Sequence, residues 1–441
     1  MSKDPLQLLL EHLRAQEGAP IPTSPLGRLG RTALAGARAG VGALGARLRG
    51  GELNLGSLSP EALAQLVESF GEMKGVVMKA GQILSYVDGS LGPEARQLLA
   101  VLQRQSQPTP FVDIERTIRE DLGSRAQGLL ARLDRVPVAT ASIGQVHRAT
   151  REDGTPVAVK VRHPGIEAAI RADFKTASLG KVLARGIAPG IEVGEVIAEA
   201  QARFLEECDY ALEARRQSRF AQIYAGHDLI SIPAVHPDWC GPRVLTTTWR
   251  DGASLESFLS APASAEARER AARGLYEFYV GTLYRHGLFN ADPHPGNVLF
   301  APEGRIAVLD HGCVREFDRD TICALVRLSR AVRGDDPWKI QSALGEIGMP
   351  RPTKDFDVTR SLLRSFFAPL LTPGRHAVAA DRAVAMGETV ALKRRLMKMR
   401  LPGKLMFLFR IRFGLYAVLS RIGAELDWAA LEDELASGVD R

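Results

Sequence analysis

Asp292 and Asn297 stand five residues apart in the run Asn290-Ala-Asp-Pro-His-Pro-Gly-Asn297, and Asp310 opens the triplet Asp310-His-Gly312 thirteen residues further on. Pro293, Pro295 and Gly296 make the first run a loop. Ile306-Ala-Val-Leu309 reads as a short buried strand that delivers Asp310 to a turn. A carboxylate and a carboxamide on one loop, and a second carboxylate at the mouth of a strand, are the oxygen ligands that suit a hard cation. Mg²⁺ takes few protein oxygens and fills the rest of its shell from elsewhere, so Asn297 and Asp310 suffice as its ligands.

Upstream, Val157-Ala-Val-Lys160 reads as a strand whose β-branched residues flank a lysine. A lysine with buried neighbours is costly unless paired. Its partner is expected on the next long helix, read as Glu195 to Arg219, where Glu206, Glu207, Asp209 and Glu213 cluster. Glu206 and Glu213, seven apart, share a helical face there, whereas Glu207 and Asp209 do not share theirs. Each piece has an ordinary reading: a snorkelling surface lysine, a solvated acidic face, two unrelated Asp turns. Their order decides the matter. Transfer of a phosphoryl group needs a cation for the α/β-phosphates, two oxygen ligands for Mg²⁺, and an acid beside the attacking group. Lys160, Asp292, Asn297 and Asp310 offer these in the order of a kinase chain.

The rest of the 441-residue chain sets limits. Its 45% hydrophobic and 24% charged content is that of a globular protein with ample core. Cys208, Cys240, Cys313 and Cys323 form no CxxC pair, which argues against a zinc module or a disulfide framework. No secretory signal and no run of 18 or more apolar residues is expected. Residues 1–50 carry seven Lys/Arg against three Asp/Glu, so +4 of the +6 net charge lies there. This Gly/Ala-rich stretch, with Arg28, Arg31, Arg38, Arg47 and Arg49, suits the surface of an anionic membrane. It lacks the interleaved aromatics of a nucleic-acid binder. Its Gly36-xxx-Gly40 spacing suggests a homodimer. A helical stretch from 59 to 105, strands from about 135 and helices from 262 onward give an α+β chain. The expected division is a basic extension 1–50, a helical extension 51–125, a strand-rich lobe 126–250 and a helical lobe 251–441.

Several separate motifs resemble the UbiB family of atypical kinases, the AarF/UbiB/ADCK group, and in particular its mitochondrial coenzyme Q kinase-like branch. These are Lys79-Ala-Gly-Gln82, Ala139-Thr-Ala-Ser142 followed by Ile-Gly-Gln-Val-His147, Val157-Ala-Val-Lys160, Glu207-Cys-Asp209, Ala291 to Asn297, and Asp310-His-Gly312. The resemblance spans about residues 20 to 430 and implies a protein kinase-like two-lobed fold with an added N-terminal helical extension. It implies that Asp292, Lys160 and Lys79 are catalytic. It also implies a nucleotide site of Ala139, Thr140, Ala141, Ser142, Lys160, Glu213, Glu207, Asp209 and Gln82, with Asn297 and Asp310 on the metal. Lys160 would pair with Glu213, and Lys79 with Glu207 or Asp209. Alanines in place of a glycine-rich loop restrict the backbone over the phosphates, and a Lys79 helix over the cleft would crowd a peptide substrate. Thr140, Thr248 and Asn290 depart from the family pattern; Asn290 stands where an apolar residue or His is commoner.

The implied function is an ATP- and Mg²⁺-dependent ATPase or atypical kinase supporting isoprenoid quinone biosynthesis. It would work peripherally on a cytoplasmic or matrix-side membrane, with anionic lipid or a quinone precursor and quinone-biosynthetic enzymes as partners. The alternatives are a protein or small-molecule kinase, and a nucleotide-gated scaffold for lipid-biosynthetic enzymes.

Overall fold

The structure, a computed structural model, describes residues 108–140, 143–171, 201–202, 204–261, 263–348, 356–379 and 403–439. Lys79, Gln82, Ala141, Ser142 and the basic segment 1–50 lie outside these residues. The chain separates into two compact units. One comprises 1–108, 140–143 and 164–202; the other comprises 109–139, 144–163 and 203–441. In the first, only short segments are described, such as the turn of chain in which Arg171 pairs with Glu167 at 2.9 Å.

The element order is α1 (Phe111–Leu122), α2 (Ala126–Leu130), β1 (Ala139–Thr140), β2 (Gly144–Thr150), β3 (Pro156–Arg162), α3 (Tyr210–Ile223), β4 (Ile230–Ser231) and β5 (Val244–Thr248). Then come α4 (Leu255–Ser260), α5 (Ala265–Tyr276), a π turn (Glu277–Gly281), α6 (Thr282–His286), β6 (Leu288–Asn290), β7 (Val298–Phe300), β8 (Ile306–Val308) and β9 (Val314–Glu316). The described chain closes with α7 (Arg319–Arg333), α8 (Pro337–Glu346), α9 (Phe356–Phe366), β10 (His376–Ala377), α10 (Gly403–Ile422), β11 (Glu425–Leu426) and α11 (Trp428–Leu435).

The first sheet has the order β1-β2-β3-β5. β2 and β3 form an antiparallel hairpin in which Val146 faces Lys160, and β5 pairs with the other edge of β3. The hairpin turns where Asp153-Gly154 predicts it. Gly154 takes φ +84°, and the Asp153 carboxylate accepts from the Thr155 N–H at 2.8 Å. The two-residue period of β3 separates its faces. Val157, Val159 and Val161 are fully buried, while Ala158, Lys160 and Arg162 are half-buried on the opposite face. The valines pack in one core with Ile114, Ile118 and Leu122, which recur at helical spacing on α1. Lys160 is thereby turned away from α1.

A second, larger core joins α5, the π turn, α6, α7, α10 and α11. The long helix α10 buries its Leu415, Tyr416 and Leu419 in this core. Two small ladders are set against it: β6–β9, with Asn290 opposite Val314, and β7–β8, with Val298 opposite Val308. Among the described residues no helix is long and apolar enough to cross a membrane.

One expectation needs correction. The helix through the acidic cluster is not continuous. It breaks at Cys208 and Asp209, and α3 begins at Tyr210. Asp209 is the reason: its carboxylate caps α3 by accepting from the Leu212 N–H at 3.0 Å. Glu206 therefore precedes the break and does not share a face of one helix with Glu213.

Candidate functional site

Lys160 and Glu213 meet because β3 presents the lysine on the face opposite α1, and α3 places Glu213 in its first turn. Lys160 Nζ donates to both Glu213 oxygens, at 2.9 and 3.0 Å. It also lies 3.6 Å from Asp310 Oδ2 and 4.9 Å from the centre of the Tyr210 ring. Glu213 has 3% of its side chain exposed and Lys160 18%. Burial by itself would push the ammonium to lose its proton. The Asp310 and Glu213 carboxylates outweigh it and hold the lysine charged.

The catalytic-type loop is ordered from within. Asn297 Nδ2 donates to Asp292 Oδ2 at 2.9 Å, which leaves the Asn297 Oδ1 as its acceptor. His294 Nδ1 accepts from the Gly296 N–H at 3.0 Å. Tyr279, projected from the π turn, donates its hydroxyl to the Asp292 carbonyl at 3.3 Å. Underneath, α10 approaches closely at Gly414, where a Cβ would stand 2.7 Å from Pro293 Cγ.

The β7–β8 ladder brings Asn297 and Asp310 together: Leu309 N–H donates to the Asn297 carbonyl at 2.9 Å, one residue before Asp310. Asp310 Oδ1 accepts from the Gly312 N–H at 2.8 Å, and its side chain stays 34% exposed. Asn290, fully buried, ties the two loops. Its Nδ2 donates to the Asp310 carbonyl at 2.9 Å and its Oδ1 accepts from the Asp292 N–H at 3.1 Å.

His311 is sealed below Asp310. Its ring lies 5.0 Å from Phe220 of α3 and 6.2 Å from Phe278. Neither ring nitrogen has a hydrogen-bond partner among the described residues, and burial pushes its pKa down to about 4, so the imidazole is neutral and behaves as an apolar plug. Its backbone N–H lies on the Glu213 side and favours the charged carboxylate.

Of the residues singled out from the sequence, Lys160, Glu213, Asp310, Asn297 and Asp292 thus belong to one constellation. Ala139 and Thr140 are exposed on β1. Asp209 caps α3, and Glu207 is half-buried just before the helix break. Asn290, His311, Tyr210 and Arg216 were not assigned roles from the sequence. For Asn290 the signal was its polar character where an apolar residue was expected. Arg216 bonds largely to backbone carbonyls, which leave no mark on spacing.

The oxygens fit a magnesium ion. Asn297 Oδ1 and the Asp310 carboxylate are hard donors on adjoining ends of one ladder, and no cluster of three or more His, Cys, Asp or Glu among the described residues offers a softer or fuller cage.

Comparison with known proteins agrees with this geometry. The model of the ABC1 atypical kinase-like domain matches residues 101–344. AarF domain-containing protein kinase 1 of Xenopus laevis is 31% identical over 246 residues, covering 54% of this chain and 47% of the relative. Atypical kinase COQ8, mitochondrial, of Saccharomyces cerevisiae is 27% identical over 267 residues, covering 60% of this chain and 53% of the relative. The chain spans about half the length of these curated relatives. The solved structure of Rv3197 in complex with erythromycin, from Mycobacterium tuberculosis, superposes with a TM-score of 0.64 at 29% identity, covering 86% of this chain and 97% of that one. With more than half of its length matched by the domain model and its lysine, loop and carboxylate set in kinase order, the chain belongs to the ABC1 (UbiB) family of atypical kinase-like proteins, and its fold is kinase-like.

Proposed function

We propose that this chain binds ATP with Mg²⁺ at the Lys160–Asp310 constellation and acts there as an atypical kinase or ATPase. The observation that carries the reading is Lys160 held charged between Glu213 and Asp310, next to a loop in which Asn297 orients Asp292. Lys160 brings a fixed positive charge to the α/β-phosphates, and Glu213 prevents it from swinging away. Asn297 and Asp310 hold the metal, which when bound neutralises charge on the phosphate oxygens. Asp292 takes the proton of the attacking hydroxyl or water on Oδ1, the oxygen Asn297 does not engage.

The role in isoprenoid quinone biosynthesis rests on the family resemblance and on relatives such as Atypical kinase COQ8. The membrane surface rests on the basic segment with its five arginines, which lies outside the described residues. Full-length protein should hydrolyse Mg²⁺-ATP in the presence of anionic vesicles. Lys160→Ala should lower that rate on the order of 100-fold. A wild-type protein that neither binds Mn²⁺-ADP by calorimetry nor releases phosphate would refute the reading. Transfer of label from γ-³²P-ATP to an added phenolic quinone precursor would decide for kinase over ATPase. Replacing Arg28, Arg31, Arg38, Arg47 and Arg49 by Gln should abolish vesicle flotation; retained flotation would move the contact elsewhere.

A further inference from the structure

Helix α3 does more than supply Glu213. One turn on, Arg216 Nη1 donates to the Gly312 carbonyl at 2.7 Å and Nη2 to the Val314 carbonyl at 3.3 Å. The same Nη2 pairs with Glu206, which also accepts from Arg315 Nη1 at 3.2 Å. Arg216 and Glu206 each have 17% of their side chains exposed, so these charges are largely out of water. One turn further, Phe220 covers the His311 ring. Three successive turns of α3 thus line the segment 311–314: Glu213 beside Gly312, Arg216 at the Gly312 and Val314 carbonyls, and Phe220 at the His311 ring.

We propose that Arg216 is a positioning residue that fixes the Asp310 loop to α3, so that the metal-ligand carboxylate and the partner of Lys160 are carried as one body. The inference rests on the nucleotide reading above for its consequence, but the coupling itself does not. A planar guanidinium can meet two carbonyls and a carboxylate together; an ammonium on a flexible stem cannot hold the same fork. Gly312 adds a geometric reason for the register. A Cβ there would stand 3.2 Å from Asp310 Oδ1 and 3.8 Å from Glu213 Oε2, so the loop runs through a gap bounded by both acids. Glu206 pairs with both Arg216 and Arg315, so the guanidinium that holds the loop has a carboxylate partner within the chain.

Hydrogen exchange of the full-length protein tests the coupling without any nucleotide. In Arg216→Ala the Gly312 amide, which donates to the Asp310 carboxylate, and the adjoining His311 amide should exchange at least tenfold faster, while β5 amides stay unchanged. Arg216→Lys guards against a folding defect and should fall between the two. Arg219→Ala is the control, since its pair with Glu316 is exposed, and it should leave exchange as in wild type. The second measurement is Mn²⁺ binding to the ADP-loaded protein by electron paramagnetic resonance. Arg216→Ala should weaken it about tenfold, with ADP affinity in EDTA unchanged. Unaltered exchange at His311 and Gly312 would overturn the coupling. Faster exchange with wild-type Mn²⁺ affinity would overturn its role in metal positioning. A wild type that binds no Mn²⁺-ADP would instead defeat the nucleotide reading, and the exchange result would still decide whether Arg216 holds the loop.

Discussion

Asn290 donates its carboxamide N–H to the Asp310 carbonyl at 2.9 Å and accepts the Asp292 N–H on its other atom, so a single buried side chain spans the two loops that carry the site's acids. It lies at the end of β6, opposite Val314 on β9, and its neighbour Ala291 continues the ladder by donating to the Cys313 carbonyl at 2.7 Å. An apolar residue here would leave a half-buried carbonyl and a half-buried N–H without their partners, each worth up to roughly 1–3 kcal/mol.

Asn290→Leu should therefore destabilise the protein by about 2–4 kcal/mol and weaken Mn²⁺-nucleotide binding by tenfold or more. Chemical denaturation and calorimetry measure the two effects. A variant with wild-type stability would show that both backbone groups find other partners, and would remove Asn290 from the account of the site.

The kinase-like order of the site was legible because it is written locally. A β-branched run leading to Lys160, a Pro/Gly loop between Asp292 and Asn297, and four apolar residues before Asp310 each declare their conformation within a few residues. What stayed hidden depends on partners distant in sequence or on the backbone. Asp209 sits in an acidic cluster that reads as a set of charge partners, yet it spends its carboxylate on capping α3. Arg216 addresses carbonyls nearly a hundred residues away, and a carbonyl has no signature in a sequence. Asn290 departs from the family pattern because its two partners, the Asp310 carbonyl and the Asp292 N–H, are brought to it by the fold.

Gly414 allows a sign test. In the interior of a helix, Gly→Ala ordinarily stabilises by about 0.5–1 kcal/mol. Here the added methyl would press on the Pro293 ring at 2.7 Å, and a proline ring cannot rotate aside. Gly414→Ala should lower both the thermal midpoint and the rate of nucleotide turnover. A raised midpoint with unchanged turnover would mean that α10 yields instead of the loop.

His147 gives the strand-rich part a pH dependence. Its Nδ1–H donates to the Asp134 carbonyl at 2.7 Å, and its Nε2 stands 2.9 Å from the Gln145 amide nitrogen, which also donates to the Thr109 carbonyl. That network fixes the neutral tautomer, because a second ring proton would point at another donor. Burial pushes the folded pKa below the ordinary 6.5, against the pull of the Asp134 carbonyl. The unfolded chain binds the proton more readily, so this contribution to stability is fully present above pH 6.5 and is lost as pH falls through that value toward the folded pKa. His311, pushed down to about 4, and His236 and His286, shifted the same way by burial, add to the slope. Thermal midpoints should drop between pH 7.5 and 5.5, and His147→Gln should flatten part of the drop. An identical slope in that variant would assign the whole effect to other groups.

The helical core contains a test of buried charge. Arg412 of α10 donates to Glu432 Oε1 of α11 at 2.7 Å, with 7% and 2% of the two side chains exposed. Glu432 also accepts from Tyr276, from Tyr284 at 2.7 Å and from Ser329 at 3.1 Å, so its lone pairs are well used. The Arg412 guanidinium lies against the edge-to-face pair of Phe366 and Phe367, 5.2 and 4.8 Å from the two ring centres. Removing one partner strands a charge that three neighbouring hydroxyls cannot neutralise. Arg412→Met should cost about 3–5 kcal/mol, whereas replacing both partners with apolar residues of similar volume should cost far less, because the desolvation penalty disappears with the pair. Denaturant unfolding of Arg412→Met, Glu432→Leu and the double variant measures the difference. If the double variant is as unstable as the sum of the singles, the pair contributes through packing rather than through charge, and the contact of the guanidinium with the two phenyl rings is what α10 requires.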